Sequence, residues 1–391
     1  MSISGKTKRI LFVFHEACLT GATIVLFRYV TLLKAQSPHQ LLFLLGSKGP
    51  LETELRELGA VYDWEEHRTP NTSFASRLLS RVTLLTGARK SYQDLLVEDL
   101  GHQNISLVYA NTIVSSNIVS ELKKRVAAPV IWHIHELELA MKSLGISSRE
   151  LPFLPNVIVA NSRATKRNLV ANHAIREDKI VVHPPIIGEP VLGSRLDETH
   201  DTNLRVAIPE TRFVVGSSGT AVTRKGAELF IVLAKTIEHV LPGNQFHFAW
   251  VGNTRGTIHE IEHDIERAGL AGKVTFTGEV TNPVPWFRRF DVFVSTSKEE
   301  SFGLACVEAA YLGKPVMGFA GTEGLEEIIV GCHGILIPYM DVTEMAERLI
   351  QLAKNKKMRE EMAASSRSFA SGFTPDRLFN DWIGTLEKTM K

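Results

Sequence analysis

The chain has 391 residues, more than one compact core usually covers, so two domains are expected. Hydrophobic residues make up 44% and charged residues 22%, an ordinary globular balance that excludes a disordered or fibrous chain. Its 44 basic and 43 acidic residues nearly cancel, so no global basic field marks nucleic acid as a partner.

Lys6, Lys8 and Arg9 precede the apolar run Ile10 to Phe14, which His15 and Glu16 stop too early for a secretory h-region. Strands are predicted over Arg9–Phe14, Gln40–Leu45, Ala60–Asp63, Ser106–Ala110, Pro129–His133, Val157–Ala160 and Ile180–His183. Helical patterns lie between them, among them Thr23–Ala35, Leu51–Leu58, Ile113–Val126 and Arg163–Asn172. From Pro184 to Glu210 the chain is rich in proline, glycine and charge, which reads as a connection. Strands resume at Phe213–Ser217, Phe246–Val251, Val274–Thr277, Val292–Ser295, Val316–Phe319 and Gly334–Ile337. After Tyr339 only helical patterns follow, and Phe379, Trp382, Ile383 and Leu386 give the last one an apolar face for docking.

The apolar runs are continuous, as in strands buried on both faces, and alternate with helices, as in parallel sheets. The expected fold is therefore α/β with two doubly wound, Rossmann-like domains: residues 1–185, a linker at 186–210, 211–370, and a helix at 371–391 packing back on the body. Ligands belong in the cleft outside the carboxyl ends of the strands. No run approaches the roughly 18 apolar residues of a spanning helix. Cys18, Cys306 and Cys332 lie too far apart to read as a disulfide framework or metal pair, which fits a reducing, cytoplasmic setting.

The most informative stretch runs from Phe290 to Gly318, FDVFVSTSKEESFGLACVEAAYLGKPVMG. A strand ends at Ser295, and Ser301-Phe302-Gly303-Leu304 opens a helix. Glu300 sits in the turn and Glu308 inside the helix, seven residues between them. Backbone N–H groups near Gly303 would face an anion at the positive end of the helix dipole. The two carboxylates could accept hydrogen bonds from sugar and ribose hydroxyls.

This segment resembles the Glu-x7-Glu signature of the retaining family 4 glycosyltransferases, which have the GT-B fold. The flanks carry the resemblance: Ser, x-x-Glu, Ser-Phe-Gly-Leu, Glu-Ala, then Leu-Gly-Lys-Pro-Val. Gly216 to Gly226 resembles the family's donor-phosphate loop, with Lys225-Gly226 as its Lys-Gly. Many relatives carry Gly-Arg where this chain has Gly219-Thr220, so Arg224 either replaces that guanidinium or stays on the surface. Trp250-Val251-Gly252-Asn253 and Phe276-Thr277-Gly278-Glu279 resemble the turns near the nucleotide base and ribose, and FAGTEGLEE at 319–327 resembles a further glycine-rich turn. Thr20-Gly21-Ala22-Thr23 resembles the loop that approaches the donor diphosphate from the first domain. His135-Glu136 matches a His before an acidic residue, and Asn161-Ser162 recurs near the acceptor.

The resemblance implies a metal-independent hexosyltransferase that uses no cofactor and moves a sugar, with retention, from a nucleotide-sugar donor to a glycan, lipid-linked or small-molecule acceptor. Lys225, Glu300 and His135 would be the catalytic groups, with Glu308 on the ribose. Gly21, Ala22, Gly219, Thr220, Arg224, Gly252, Asn253, Gly278, Ser301, Phe302, Gly303 and Leu304 would line the donor. Asn111, His133 and Asn161 would face the acceptor. His133, His135 and Glu136 could imitate metal ligands, but no further His or Cys cluster supports that reading. The basic segment Arg68 to Lys90 reads as an amphipathic helix, either solvated or peripheral to the inner face of a membrane near a lipid-linked acceptor. Two rivals stay open: a nucleotide-sugar epimerase of the same architecture, and a non-catalytic nucleotide-sugar-binding subunit of a glycan assembly complex.

Overall fold

A computed structural model describes residues 7–65, 91–145, 151, 153–188, 208–243 and 245–391. The basic segment Arg68 to Lys90 and most of the connection at 186–210 lie outside the described residues.

The first sheet comprises β1 (Arg9–Phe14), β2 (Gln40–Leu45), β3 (Ala60–Asp63), β4 (Leu107–Asn111), β5 (Val130–Ile134), β6 (Val157–Ala160) and β7 (Ile180–Val182). All pairs are parallel, in the order β3-β2-β1-β4-β5-β6-β7. The second comprises β8 (Phe213–Ser218), β9 (Phe246–Val251), β10 (Val274–Phe276), β11 (Val292–Ser295), β12 (Val316–Phe319) and β13 (Ile335–Ile337). It is also parallel, in the order β10-β9-β8-β11-β12-β13. The two doubly wound sheets expected from the apolar runs are present, and the strand ends differ from the predicted ones by a residue at most.

Each sheet reverses its winding once, between β1 and β4 and between β8 and β11. There the loops leave in opposite directions and open a crevice at the strands' carboxyl ends. The predicted helix at 113–126 is split into a 3₁₀ turn, Ile113–Ser115, and a helix, Ser116–Lys123. Thr112, at a φ of 63°, breaks the approach from β4.

Both faces of each sheet are covered, with clusters around Trp132 and Leu11 on one face and Phe12 and Tyr109 on the other in the first. In the second sheet, Phe230 and Trp250 centre one cluster and Phe290 and Phe293 the other. The last helix, Pro375–Thr389, returns to the first sheet and inserts Phe379, Trp382 and Leu386 beside Tyr29 and Tyr109. Burying each of those side chains contributes about 1.5–3 kcal/mol. The Trp382 indole N–H also donates to the Tyr109 hydroxyl at 3.0 Å, so its polar edge is satisfied. Among the described residues no helix is long and apolar enough to cross a membrane.

Candidate active site

Glycines shape the carboxyl ends of β8, β9 and β10. Gly219 donates to the Val251 carbonyl at 3.0 Å and Gly252 to the Gly278 carbonyl at 3.1 Å, which ties three turns into one ledge. The φ values of Gly219, Gly252 and Gly278 are 142°, 147° and 70°, a region that favours glycine. At Gly252 a Cβ would also stand 2.2 Å from the Gly219 carbonyl oxygen. The Trp250 indole N–H donates to that same oxygen at 2.8 Å. Thr220 contributes its carbonyl to Val222 at 2.8 Å, and the Asn253 carbonyl accepts from Ala221 at 2.8 Å. The Asn253 side chain donates to Glu279 at 2.5 Å, so it is held within its own turn.

Beyond the ledge, the loop after β8 bends at Gly226, whose φ is 68°. The Thr296 hydroxyl donates to the Gly226 carbonyl at 2.8 Å, fixing the loop to the end of β11. Lys225 and Glu300, 75 residues apart, meet there as an ion pair through Nζ and Oε2. Burial pushes the Lys225 ammonium below its ordinary pKa against the opposing pull of Glu300. Burial alone would raise the Glu300 carboxyl, but the charges of Lys225 and Arg224 outweigh it and hold that group ionised. Arg224 Nη1 donates to the Glu299 carbonyl at 3.0 Å, placing its guanidinium at this turn rather than free on the surface.

The helix Leu304–Tyr311 begins from Gly303 at a φ of 88° with no side-chain cap, so its first N–H groups are left to other partners. Phe302 and Leu304, predicted to line the donor, turn their side chains into apolar packing. Phe302 is buried against Phe373, ring centroids 5.5 Å apart, so only its backbone faces the turn.

On the facing unit the side chains themselves are the fittings. His135 Nε2–H donates to Asn111 Oδ1 at 2.9 Å, and the Asn111 amide donates to the Ala22 carbonyl at 3.0 Å. Asn161 Nδ2 lies 3.5 Å from His135 Nδ1, and Asn161 Oδ1 accepts from the Thr165 hydroxyl at 2.7 Å. These partners assign the proton of a neutral His135 to Nε2. Burial, with the nearby His15 adding to it, pushes its pKa down to about 3. Glu136 accepts backbone N–H groups from His135 at 3.0 Å and Ile113 at 3.2 Å, so it shapes the turn and burial raises its carboxyl.

His133 differs from its prediction as a group facing the acceptor. It is fully buried, its ring centroid 4.0 Å from that of His135, and Nδ1 is 3.0 Å from the Tyr109 hydroxyl. It supports His135 from behind and does not line the cleft, because same-face residues on a strand ending stack in depth. Gly21 and Ala22 open the helix Gly21–Gln36, and a Cβ on Gly21 would meet open space. Among the described residues no group of three or more His, Cys, Asp or Glu is gathered as a metal site.

The two sheets also meet through contacts that the motifs did not announce. Arg28, in the helix Gly21–Gln36, pairs with Glu308 Oε1 and donates to the Ile186 carbonyl at 3.2 Å. Glu308 is thus engaged by a guanidinium from the first unit. Asn161 donates to the Ser301 hydroxyl at 3.1 Å, and Arg167 pairs with Glu327 at 2.7 Å. Glu299 accepts the N–H groups of Leu139 and Ala140 at 2.7 and 3.0 Å. Arg28 has a signal in the sequence, one charge within the apolar run ATIVLFRYV, which requires a buried partner. Glu299 has none, since it reads as a neighbour of Glu300.

Comparison with known proteins agrees with the two-sheet fold. The family described as Glycosyl transferases group 1 matches residues 202–369. A D-inositol 3-phosphate glycosyltransferase of Paenarthrobacter aurescens (strain TC1) is 30% identical over 289 residues, 70% of this chain and 70% of that protein. A poly(ribitol-phosphate) alpha-N-acetylglucosaminyltransferase of Staphylococcus aureus (strain COL) is 26% identical over 176 residues, 44% of this chain and 35% of that protein. Among solved structures, Anabaena Alr3699/HepE in complex with UDP and glucose superposes with a TM-score of 0.77 at 20% identity, covering 97% of this chain and 100% of that one.

Proposed function

Since the chain belongs to the glycosyl transferases group 1 family, with its GT-B fold, we propose that it moves a sugar from a nucleotide-sugar donor to a hydroxyl acceptor with retention of anomeric configuration. The observation that carries this reading is the Lys225–Glu300 pair, a cation and a carboxylate brought together beside the uncapped helix start at Gly303. A diphosphate needs cations and N–H donors; a sugar needs hydroxyl acceptors. Both are present where the loop after β8 meets the turn after β11. The HepE structures hold UDP and glucose, or UDP-glucose, on the same fold, which supports a nucleoside diphosphate sugar as donor.

In this reading residues 211–370 hold the donor and 1–185 the acceptor, with 186–210 as the link and the helix at 371–391 bracing the first unit. The bond between the anomeric carbon and the diphosphate oxygen breaks as the acceptor oxygen bonds to that carbon on the same face. The acceptor proton passes to the departing diphosphate. Lys225, Arg224 and the N–H groups at Gly303 stabilise the charge that grows on the leaving group. Glu300 holds sugar hydroxyls, Glu308 presents Oε2 to the ribose while Arg28 holds Oε1, and His135, its Nε2–H held by Asn111, accepts a sugar hydroxyl through Nδ1 near the reacting carbon. The cations that serve the diphosphate are side chains, so a chelator should leave the rate intact; loss with EDTA that one divalent metal restores would overturn this.

A thermal-shift panel of nucleoside diphosphate sugars tests the donor, since a cognate one at 100 times its Kd adds about 2.7 kcal/mol of stability. Transfer with the stabilising donor, followed by NMR of the product's anomeric proton, then tests retention. An inverted product, or no stabilising donor, would overturn the reading.

A further inference from the structure

Three consecutive residues of the turn after β11 each hold a different part of the molecule. Glu300 takes Lys225 of the β8 loop, and Ser301 takes Asn161 at the end of β6. Glu299, the first of the three, has no task in the reaction described above. Its side chain is nevertheless buried, with 8% of the residue exposed, and both carboxylate oxygens are used. Oε1 accepts from Leu139 at 2.7 Å and Oε2 from Ala140 at 3.0 Å, groups 160 and 159 residues away in the chain.

Those N–H groups open the helix Glu138–Ser143 and have no partner within it. That helix starts three residues after His135, and the segment between them is pinned by Glu136. On its other side, Glu299 is held by the donor loop: its carbonyl accepts from Arg224, and the Lys298 N–H donates to the Arg224 carbonyl at 2.8 Å. The backbone of Glu299 thus belongs to the donor loop and its carboxylate to the acceptor-side helix. Charge-assisted hydrogen bonds of this kind are short and directional, so they hold only at one separation of the two units.

Building on the glycosyl-transfer reading, we propose that Glu299 is a positioning residue that clamps the cleft shut. Its carboxylate captures Leu139 and Ala140, sets His135 opposite Lys225 and Glu300, and keeps water from the reacting carbon. The clamp then decides whether the sugar passes to the acceptor or to water, a choice that a purely structural contact would not influence.

Glu299→Gln and Glu299→Ala test this. The glutamine amide offers one acceptor oxygen and turns an NH2 toward the second backbone N–H, breaking one of the two bonds. Both variants should lose up to about 100-fold in kcat for transfer, the scale of an ångström-sized misplacement. Donor KM should change little, and the ratio of donor hydrolysis to transfer should rise. Small-angle scattering with saturating nucleoside diphosphate should give a larger radius of gyration than wild type. Should Glu299→Ala fail to fold by circular dichroism, the isosteric Glu299→Gln carries the test. Wild-type partitioning together with an unchanged radius of gyration would overturn the clamp. A wild-type protein inert toward every nucleotide sugar would instead defeat the transfer reading, and the scattering comparison would still judge the clamp.

Discussion

At the carboxyl ends of β8 to β10 the chain turns on glycines, whereas at those of β4 to β6 it turns on buried polar side chains. Gly219, Gly252 and Gly278 present backbone to the cleft; on the other side His135 presents an imidazole, held by the amides of Asn161 and of Asn111, which is fully buried and, unlike its prediction, does not face the acceptor. The difference follows from chemistry. Turns without side chains suit a diphosphate, which must lie close against the backbone. Oriented side chains suit hydroxyls, which must be told apart by direction. The two sides should therefore fail differently when mutated, one through backbone strain and the other through lost partners.

The largest effect is expected where the two sides are joined by charge. Arg28 and Glu308 are both buried, so Arg28→Met leaves a carboxylate without its partner, at a cost of about 3–5 kcal/mol. Glu308→Ala leaves the guanidinium unpaired and should cost a similar amount by chemical denaturation. It should also weaken nucleoside diphosphate binding by about 1.5–3 kcal/mol through loss of a charged acceptor. Unchanged nucleotide affinity in folded Glu308→Ala would remove the ribose from that residue.

Next comes Lys225. If its ammonium serves the departing diphosphate, Lys225→Ala should lower kcat about 100- to 1000-fold while moving donor KM less. Arg224→Ala is the internal comparison, and a similar loss would assign it the guanidinium that Gly219-Thr220 lacks. Near wild-type kcat in folded Lys225→Ala would place the diphosphate elsewhere.

Much of this comparison was legible before the structure. Continuous apolar runs located the strands because parallel strands buried on both faces need them, and the Phe290 to Gly318 flanks located the turn. Contacts between side chains of opposite units were not legible, since Arg28 and Glu308 stand 280 positions apart and share no local pattern. The depth of a strand-end residue was equally hidden. His133 and His135 share a face, and only the packing of Tyr109 and Trp382 shows which of them lies beneath.

A smaller effect separates the two kinds of turn. Gly252→Ala must accommodate a φ of 147° and a Cβ 2.2 Å from a carbonyl oxygen, and should cost about 1–3 kcal/mol by thermal unfolding. Gly21→Ala meets open space and should leave stability within about 0.5 kcal/mol, so that any lost activity reports on the donor alone. Equal melting temperatures for the two would mean that the ledge yields and is not a fixed platform.

The smallest and most specific effect is a pH slope from the side-chain half. His135 is held down to about 3 by burial, with the charge of His15 adding to it, whereas the unfolded chain titrates near the ordinary value of 6.5. Between those pH values the unfolded state binds a proton that the folded state refuses, so stability falls as pH drops from 6.5 toward 3. His183 and His247, both depressed to about 4 by burial, slope the same way, as does the deeper-lying His133. Glu136, whose carboxyl burial raises, slopes the other way at the acid end of the window. His135→Gln keeps a donor toward Asn111 and removes one titrating group, so its melting temperature should decline less steeply than wild type between pH 6.5 and 4. The same neutrality means that transfer activity should show no ionisation of His135 between pH 5 and 8. A wild-type slope retained in His135→Gln would mean that this imidazole is charged in the folded protein, and its proposed part as a neutral acceptor at the reacting carbon would fall with it.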